Sequence, residues 1–254
     1  MSNPSIERVR SRFLLPTDKV YLDGNSLGPL TSDASEHLIE AISQQWGQDL
    51  VAAWNKHGWI DLPQTVGNQI APIIGAHRGN VICCDSLSVN LFKALSAALE
   101  INNTRTRITV EAHQFPTDNY IASGLARLMG PDRCQVKATD ISKLTADDLS
   151  DTAVLALSHV DYKTGTLRDM PSITALAQEA GALVVWDLAH SAGVVELALE
   201  SAKVDFAVGC TYKFLNGGPG APGFLFARAE HQLAQNPIPG WMGHARIFDF
   251  EPQY

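Results

Sequence analysis

The 254-residue sequence lacks several features that mark special classes of protein. No apolar run approaches the roughly 20 residues that span a bilayer, and the N-terminal stretch has no apolar core of a signal peptide. The four cysteines, Cys83, Cys84, Cys134 and Cys210, show no C-x-x-C spacing, so we interpret them as reduced core residues. Basic side chains number 19 against 27 acidic ones, and the net charge of −8 is not that of a nucleic-acid binder. We therefore expect a cytoplasmic protein that binds neither nucleic acid nor membranes and holds no metal.

The composition that is present indicates a globular chain with a sizeable core. Apolar residues make up 45% of the sequence and charged residues 18%. The first fifty residues differ from the rest, because a loop punctuated by Gly, Asn and Pro (YLDGNSLGPL) precedes a helical pattern from about Ser32 to Val51. We therefore divide the chain into an N-terminal segment of arm and helix (1–50) and a large domain (51–254).

From about residue 80, short β-rich runs alternate with segments of helix length. The predicted strands are 80–84, 108–111, 153–158, 182–187, 206–210 and 223–227, and the predicted helices are 62–74, 86–99 and 172–180. Near-continuous apolar strands that alternate with helices indicate a mainly parallel sheet covered by helices on both faces. The predicted fold class is α/β.

Ligands of such sheets bind at the carboxyl ends of the strands, so the residues there are the candidates for a site. They include Asp187 and Lys213 at two strand ends, Phe115 after a third, and 86–88 between a strand and a helix. Taken singly, Lys213 can be a surface lysine and Asp187 a helix cap. Together they supply the parts of a pyridoxal phosphate site: an amine for a Schiff base, a carboxylate for the pyridine nitrogen, helix-terminal amides and hydroxyls for the phosphate, and a ring to stack on the cofactor.

Seven stretches make this interpretation more specific. They are YLDGNSLGPL, SLSVNLFKAL, EAHQFPTDNY, SHVDYKTG, DLAHSAGVVEL, DFAVGCTYKFLNGGPGAPGF and GWMGH, and they run through nearly the whole chain. In this order they resemble the kynureninases, a family of fold-type I pyridoxal-phosphate enzymes related to the class V aminotransferases. The resemblance implies that 51–254 is the cofactor-binding large domain, and that the small C-terminal domain of the family lies outside this chain.

The resemblance also implies roles for individual residues. Lys213 would form the Schiff base and move protons, Asp187 would pair with the pyridine nitrogen, and Tyr212 would bind the phosphate and assist proton transfer. The other implied cofactor-binding residues are Leu87, Ser88, Phe115, Pro116, Thr117, Asp118, Ser158, His190 and Trp241, the last reaching the cofactor of a partner subunit. Judged from the residues alone, Ser158 can also be a strand-end cap, His190 a core histidine and Trp241 interface packing.

The activity implied by the resemblance is hydrolysis of kynurenine or 3-hydroxykynurenine to anthranilate or 3-hydroxyanthranilate and alanine, by a homodimer, in tryptophan breakdown or NAD synthesis. The arginine that binds the substrate carboxylate in the family has no counterpart here, since the surroundings of Arg228 and Arg246 do not match. Two other interpretations stay open at this point. One is a large domain that binds the cofactor without turnover, and the other is a related class V enzyme such as a cysteine desulfurase, which needs a cysteine on a mobile loop.

Overall fold

The fold is built on one twisted sheet that sets the positions of the candidate residues. A computed structural model describes residues 5–252, so both outer limits of the predicted segments, Met1 and Tyr254, lie outside the described residues. Seven strands within 5–252 form the sheet: β1 (Val81–Cys83), β2 (Arg107–Glu111), β3 (Gln135–Thr139), β4 (Thr152–Ser158), β5 (Leu183–Asp187), β6 (Phe206–Cys210) and β7 (Gly223–Ala227). Their order is β1-β7-β6-β5-β4-β2-β3.

Strand direction places most of the carboxyl ends at one edge of the sheet. β3, β2, β4, β5 and β6 are parallel neighbours, whereas β7 is antiparallel to both β6 and β1. β7 therefore runs against the other strands, and its first residue, Gly223, lies at the edge where they end. We call this edge the carboxyl edge. The prediction of a mainly parallel sheet in an α/β fold is confirmed.

Helices of very different length surround the sheet. Those with α-helical geometry are α1 (Ile6–Arg10), α2 (Ser32–Glu40), α3 (Ala53–Lys56), α4 (Leu62–Ile70), α5 (Leu87–Ile101), α6 (Pro116–Met129) and α7 (Met170–Glu179). A π-helix, Ala41–Trp46, continues α2, and a 3-10 turn, Ala71–Ile74, continues α4. The lengths follow burial in part, because the longest helix, α5, buries seven of its residues and the short α1 buries none.

Alternate residues of the strands pack into two separate hydrophobic cores, one on each face of the sheet. Leu155 and Leu157 of β4 pack into a cluster with Ile70 and Ile74 on one face of the sheet, whereas Val154 and Ala156 belong to the cluster on the other face. Helices α4 and α7 cover the first cluster, and α5 and α6 cover the second. All seven residues of β4 are buried, which explains why the apolar run is continuous instead of alternating.

Strand β3 and helix α6 were not predicted from the sequence, and neither were the short helices α1 and α3. β3 is an edge strand whose residues are exposed or half-buried, so it has no apolar run that would mark it as a strand. Helix α6 begins within the FPTD stretch, with Pro116 in its first turn, and only three of its residues are buried. α7 begins two residues earlier than predicted, because Asp169 caps it by accepting a hydrogen bond from the Ser172 N–H.

The predicted helical pattern of 32–51 is confirmed only in part. The chain is α-helical to Glu40 and π-helical to Trp46, and its apolar side chains do not enter the core. Leu38, Ile39, Ile42 and Trp46 are each about 60% exposed, at 59%, 64%, 60% and 64%. This apolar stripe on α2 and the π-helix is therefore left uncovered by the rest of the described chain.

The cysteines lie where core residues were predicted. Cys83, Cys134 and Cys210 are buried, Cys84 is half-buried, and all four thiols are free. Burial raises the pKa of each of them, that of Cys84 to about 12. No helix within residues 5–252 has the length and apolarity to cross a membrane.

Candidate active site

A lysine and a histidine meet at the carboxyl edge, between the ends of β5 and β6. Lys213 follows β6 by three residues, and His190 lies in the turn after β5. The Lys213 Nζ is 2.7 Å from the His190 Nε2. Burial, together with the charge of Lys213, lowers the pKa of His190 to about 4. His190 is therefore neutral near pH 7 and accepts the hydrogen bond from the amine.

Two buried carboxyl groups lie beside this pair. Asp187 is the last residue of β5 and Asp118 is in the first turn of α6; they are 5% and 3% exposed. Burial raises the pKa of Asp187, although the Ala189 N–H, 2.7 Å from its Oδ1, and the charge of Lys213 oppose the shift. Burial and then the charge of Asp187 raise the pKa of Asp118 well above its usual range. The negative charge of Asp187 thus adds to burial in favouring the protonated form of Asp118.

This pair gives the apoprotein a pH-dependent stability. A carboxyl whose pKa is raised by folding stabilises the folded state below its unfolded pKa of about 4 and loses that contribution as the pH rises through the folded value. In Asp118→Asn the amide cannot ionise and can donate to Asp187. We expect the melting temperature of this variant to exceed that of the unaltered chain by a few degrees at pH 7 and to equal it near pH 3.

The control for this prediction is Asp132→Asn, since Asp132 is an exposed carboxyl. Melting curves recorded from pH 3 to pH 8 should separate the Asp118 variant from the unaltered chain progressively as the pH rises. A constant offset at every pH, or a lower melting temperature at pH 7 alone, would contradict a raised pKa of Asp118 in the folded chain.

Aromatic rings form one wall of the site. The Lys213 Nζ lies 5.9 Å from the centroid of the Phe115 ring and the same distance from that of Tyr212. Phe115 also meets Tyr162 edge to face, with centroids 5.2 Å apart. Phe115 is 42% exposed, which is unusual for an apolar ring beside a buried cluster. Its open face can accept a flat ligand that stacks on it.

The N-terminus of α5 lies next to the start of β7, at the carboxyl edge. Ser86 caps this helix by accepting a hydrogen bond from the Val89 N–H at 3.3 Å, and the N–H groups of the first turn, which includes Leu87 and Ser88, have no partner within a helix. A side chain at Gly223 would come within 2.9 Å of the Leu87 N, so β7 approaches this turn closely. The arrangement offers free amides and the hydroxyl of Ser88 to an anion.

The loop of residues 14–30, which we call the arm, is hydrogen-bonded to the loop that carries Lys213. Its GNSLG stretch ends at Gly28, whose N–H donates to the Tyr212 carbonyl at 2.8 Å. A Cβ at Gly28 would lie 2.0 Å from the Lys213 carbonyl oxygen and 2.4 Å from the Asn216 Oδ1. Only glycine therefore allows the arm to pass this close to Lys213.

Gly28→Ala should detach the arm. We expect the free energy of unfolding to fall by about 1–3 kcal/mol, because two backbone segments must separate to admit a methyl group. Gly24→Ala is a matched control in the same loop, since its Cβ would meet only the Phe214 ring at 3.7 Å. Urea unfolding and limited proteolysis of the arm measure the effect. Equal stability of the two variants would show that the Gly28 contact does not hold the arm.

Most of the residues predicted to form the site converge on this edge. Asp187 and Ser158 are paired in register at the ends of β5 and β4. Phe115, Pro116, Thr117 and Asp118 form the start of α6, and Leu87 and Ser88 that of α5. Trp241 is different: its ring contacts are with Trp54 and Phe250, both with centroids 6.1 Å away, and no hydrogen bond or ring contact in the described chain joins it to Lys213.

Three residues of this edge were missed by the sequence analysis. Arg168 forms an ion pair with Glu111, the last residue of β2, and its guanidinium is 3.7 Å from Asp161. Charged residues in loops have no periodicity that marks them, although Asp161 lies in the SHVDYKTG stretch and Glu111 ends an apolar strand. No group of three or more His, Cys, Asp or Glu residues within 5–252 is placed to hold a metal ion.

The arrangement fits a cofactor that carries an aldehyde, a basic ring nitrogen and a phosphate. An amine hydrogen-bonded to a neutral histidine can attach to an aldehyde. The buried Asp118 Oδ1 has no hydrogen-bond partner in the described structure, so the carboxyl pair can accept a further donor or positive charge. The ring of such a cofactor can stack on the exposed Phe115, and its phosphate can bind at the first turn of α5.

Comparison with known proteins agrees with this geometry. The family described as aminotransferase class-V matches residues 66–245. The kynureninase of Pseudomonas fluorescens is 45% identical over 98% of this chain and 61% of its own length, and that of Burkholderia pseudomallei strain 1106a is 44% identical over 97% of this chain and 60% of its own length. The chain thus spans about 60% of the length of these curated relatives.

Solved structures share the fold at lower identity. The cysteine desulfurase of Thermococcus onnurineus superposes with a TM-score of 0.74 at 20% identity, covering 94% of this chain and 61% of that one. A C-DES variant with glycine covalently linked to its PLP cofactor also gives 0.74, at 19% identity, over 94% of this chain and 63% of that one. The likeness establishes the fold, and the family match covers well over half of the chain. The chain belongs to the class-V aminotransferase family.

Proposed function

We propose that this chain is the large domain of a pyridoxal-phosphate-dependent kynureninase. The enzyme would hydrolyse the Cβ–Cγ bond of kynurenine or 3-hydroxykynurenine, giving alanine and anthranilate or its 3-hydroxy derivative, in tryptophan breakdown or NAD synthesis. The observation that carries the proposal is the contact of Lys213 with His190, at 2.7 Å, beside the buried Asp118–Asp187 pair. The 45% identity to the Pseudomonas fluorescens kynureninase favours this substrate class over others in the family.

The residues of the chain divide the work between them. Pyridoxal phosphate, when bound, supplies an electron sink for negative charge at the substrate's α-carbon. Lys213 would hold the cofactor covalently and act as the base that takes the α-proton. His190 accepts a hydrogen bond from the Lys213 amine and so orients it. Asp187, supported by Asp118, would keep the ring nitrogen protonated.

The remaining predicted residues would bind and orient. Leu87 and Ser88 would hold the phosphate through the first turn of α5, with Tyr212 as a further phosphate ligand. Burial raises the pKa of Tyr212 to about 12, so its hydroxyl stays protonated at neutral pH and can donate. Phe115 would stack on the ring, Ser158 would lie beside it, and Pro116 and Thr117 would shape the loop.

We propose that the enzyme acts as a homodimer in the cytoplasm. The support is the uncovered apolar stripe on α2 and the π-helix, together with Trp241, Phe248 and Phe250, which are 46%, 60% and 70% exposed. Apolar surface of this extent favours association with another protein surface. Trp241 would then complete the site of the partner subunit, which agrees with its separation from Lys213 within one chain.

A titration with pyridoxal phosphate tests the proposal. We expect a protonated-imine absorbance band, and borohydride reduction followed by peptide mass mapping should place the phosphopyridoxyl group on Lys213. Kynurenine and 3-hydroxykynurenine are then added and the fluorescent products measured. Labelling of Lys213 without product would support the alternative of a cofactor-binding domain without turnover, and labelling at another lysine would contradict the assignment of the site.

Cysteine desulfurase activity is less well supported. The fold likeness to such enzymes is close, but at 20% identity it concerns the fold alone. The reaction needs a reactive thiolate, whereas burial raises the pKa of all four thiols here. Addition of cysteine to the loaded protein, with sulfide as the readout, is the direct comparison.

A further inference from the structure

Buried polar atoms without partners are concentrated behind the candidate site. Six buried side-chain N or O atoms within residues 5–252 lack a hydrogen-bond partner. Five of them belong to residues at or next to the carboxyl edge: Glu111 Oε2, Gln114 Oε1, Asp118 Oδ1, His159 Nδ1 and Arg168 Nη1. Such atoms are rare in folded proteins, and their clustering marks a region whose polar groups serve more than packing.

Arg168 is the cation of this region. Its side chain is 11% exposed, and its guanidinium contacts Glu111, which is 9% exposed, and lies 3.7 Å from Asp161, which is 10% exposed. The backbone around it is equally fixed, since the Arg168 N–H donates to the His159 carbonyl and the His159 N–H donates to the Asp187 carbonyl. Burying an arginine and two carboxylates requires removing all three charges from water, and such a cluster is weak evidence for added stability. We therefore look for a role of Arg168 in the site.

The two carboxylates belong to different parts of the chain. Glu111 ends β2, and its carbonyl oxygen accepts from Asn119 Nδ2 at 3.3 Å, so it is joined to the start of α6, next to Phe115 and Asp118. Asp161 organises the loop after β4, because its Oδ1 accepts from the Thr164 N–H at 2.7 Å. That loop carries Tyr162, the edge-to-face partner of Phe115.

The region is also rich in groups that can titrate. Glu111 and His113 approach from β2 and its loop, Asp118 from α6, His159, Asp161 and Arg168 from the loop after β4, and Asp187, His190 and Lys213 from β5 and β6. Four of these groups are carboxyls, and Arg168, the one guanidinium among them, is paired with two of the four, Glu111 and Asp161.

We propose that Arg168 is a positioning residue of the candidate site, which fastens the loop of Phe115 to the loop of Tyr162 through Glu111 and Asp161 and neutralises Glu111 beside Asp118. The inference rests on the proposed function, because it concerns affinity for pyridoxal phosphate. Burial raises the pKa of Glu111 and the charge of Arg168 opposes that rise, while a charged Glu111 raises the pKa of Asp118. Without Arg168, the protonation of Glu111 and of Asp118 would therefore change together, and a carboxyl that is fully protonated is a poor counter-ion for a ring nitrogen. The loop that carries Phe115 would also lose its anchor.

Arg168→Gln tests the proposal, with Arg168→Lys and the double variant Glu111→Gln/Arg168→Gln as its partners. Pyridoxal phosphate itself is the probe, titrated by absorbance from pH 6 to pH 9. We expect Arg168→Gln to weaken binding at least about tenfold and to move the pH midpoint of the bound absorbance band. Arg168→Lys should recover part of the affinity, and the double variant should recover most of it, because it removes the unpaired carboxylate as well.

Two outcomes would overturn the proposal. One is wild-type affinity and an unchanged pH profile in Arg168→Gln; the other is a double variant as weak as the single one, which would show that Arg168 does not act through Glu111. Melting of the apoproteins over the same pH range distinguishes a folding defect from a site defect. Failure of the proposed function is recognised separately, since the unaltered chain would then fail to label at Lys213.

Discussion

Lys213→Ala should abolish covalent attachment of pyridoxal phosphate and lower any hydrolysis of kynurenine at least about a thousandfold, which corresponds to about 4 kcal/mol. The reason is that Lys213 places an amine beside a histidine, an aromatic ring and two buried carboxyls. Its Nζ is 2.7 Å from the Nε2 of His190, which is neutral near pH 7, and 5.9 Å from the centre of the Phe115 ring. Removal of the side chain removes both the attachment and the base.

Lys163→Ala is the matched control. Lys163 lies on the neighbouring loop, is exposed, and places its amine 5.4 Å from the Tyr162 ring centroid, so it has a similar aromatic neighbour without the buried carboxyls. Reduction with borohydride and mass mapping should give a label in Lys163→Ala and none in Lys213→Ala. Full labelling of the Lys213 variant would show that another amine holds the cofactor.

Asp187→Asn should retain the fold and lose about a hundredfold or more in turnover, since an amide cannot serve as the counter-charge of a protonated ring nitrogen. The substitution keeps the shape and an oxygen that can accept the Ala189 N–H, which in the unaltered chain is 2.7 Å from the Asp187 Oδ1. The loss should therefore appear in kcat, and the melting temperature at pH 7 should not fall. It should also shift the bound absorbance band toward that of an unprotonated ring.

A matched comparison for Asp187 is Asp205, another fully buried carboxylate at a strand end. Asp205 lies at the opposite edge of the sheet, before β6, and binds Arg228, His231 and the Val184 N–H. Asp205→Asn should lower stability without a direct effect on the cofactor. If Asp187→Asn behaved in the same way, with stability lost and turnover per folded molecule intact, Asp187 would be a structural residue.

The sequence was sufficient for the elements that depend on burial. The six strands predicted from apolar runs are all present, because each lies inside the sheet or beside β7 and has to be apolar on one or both faces. β3 was not predicted because an edge strand with half-exposed residues does not need apolar side chains. Helix α6 escaped because its first turn is dominated by polar residues of the candidate site, with Asp118 buried there against ordinary preference.

For the site, the identity of the residues was predictable but their relations were not. Asp187 and Lys213 could be chosen because each follows an apolar strand. That His190 accepts from Lys213, or that Asp118 lies against Asp187, depends on how β5, β6 and α6 are brought together, and no local pattern records it. The same holds for Gly28: its motif was noticed, but its contact with the Lys213 carbonyl required the folded chain.

The reversed direction of β7 affects how the site comes together during folding. Cys210 of β6 pairs with Gly223 of β7, so the segment that carries Lys213 is a short closed loop whose ends meet within a hairpin. Closing such a loop costs little entropy and is fast. Asp118 and Asp187 meet only when β2, β4 and β5 have assembled across a long stretch of chain. The loop that carries Lys213 can therefore close before the carboxyl pair forms, and we expect a partly folded chain to present the lysine before Asp118 and Asp187 have come together.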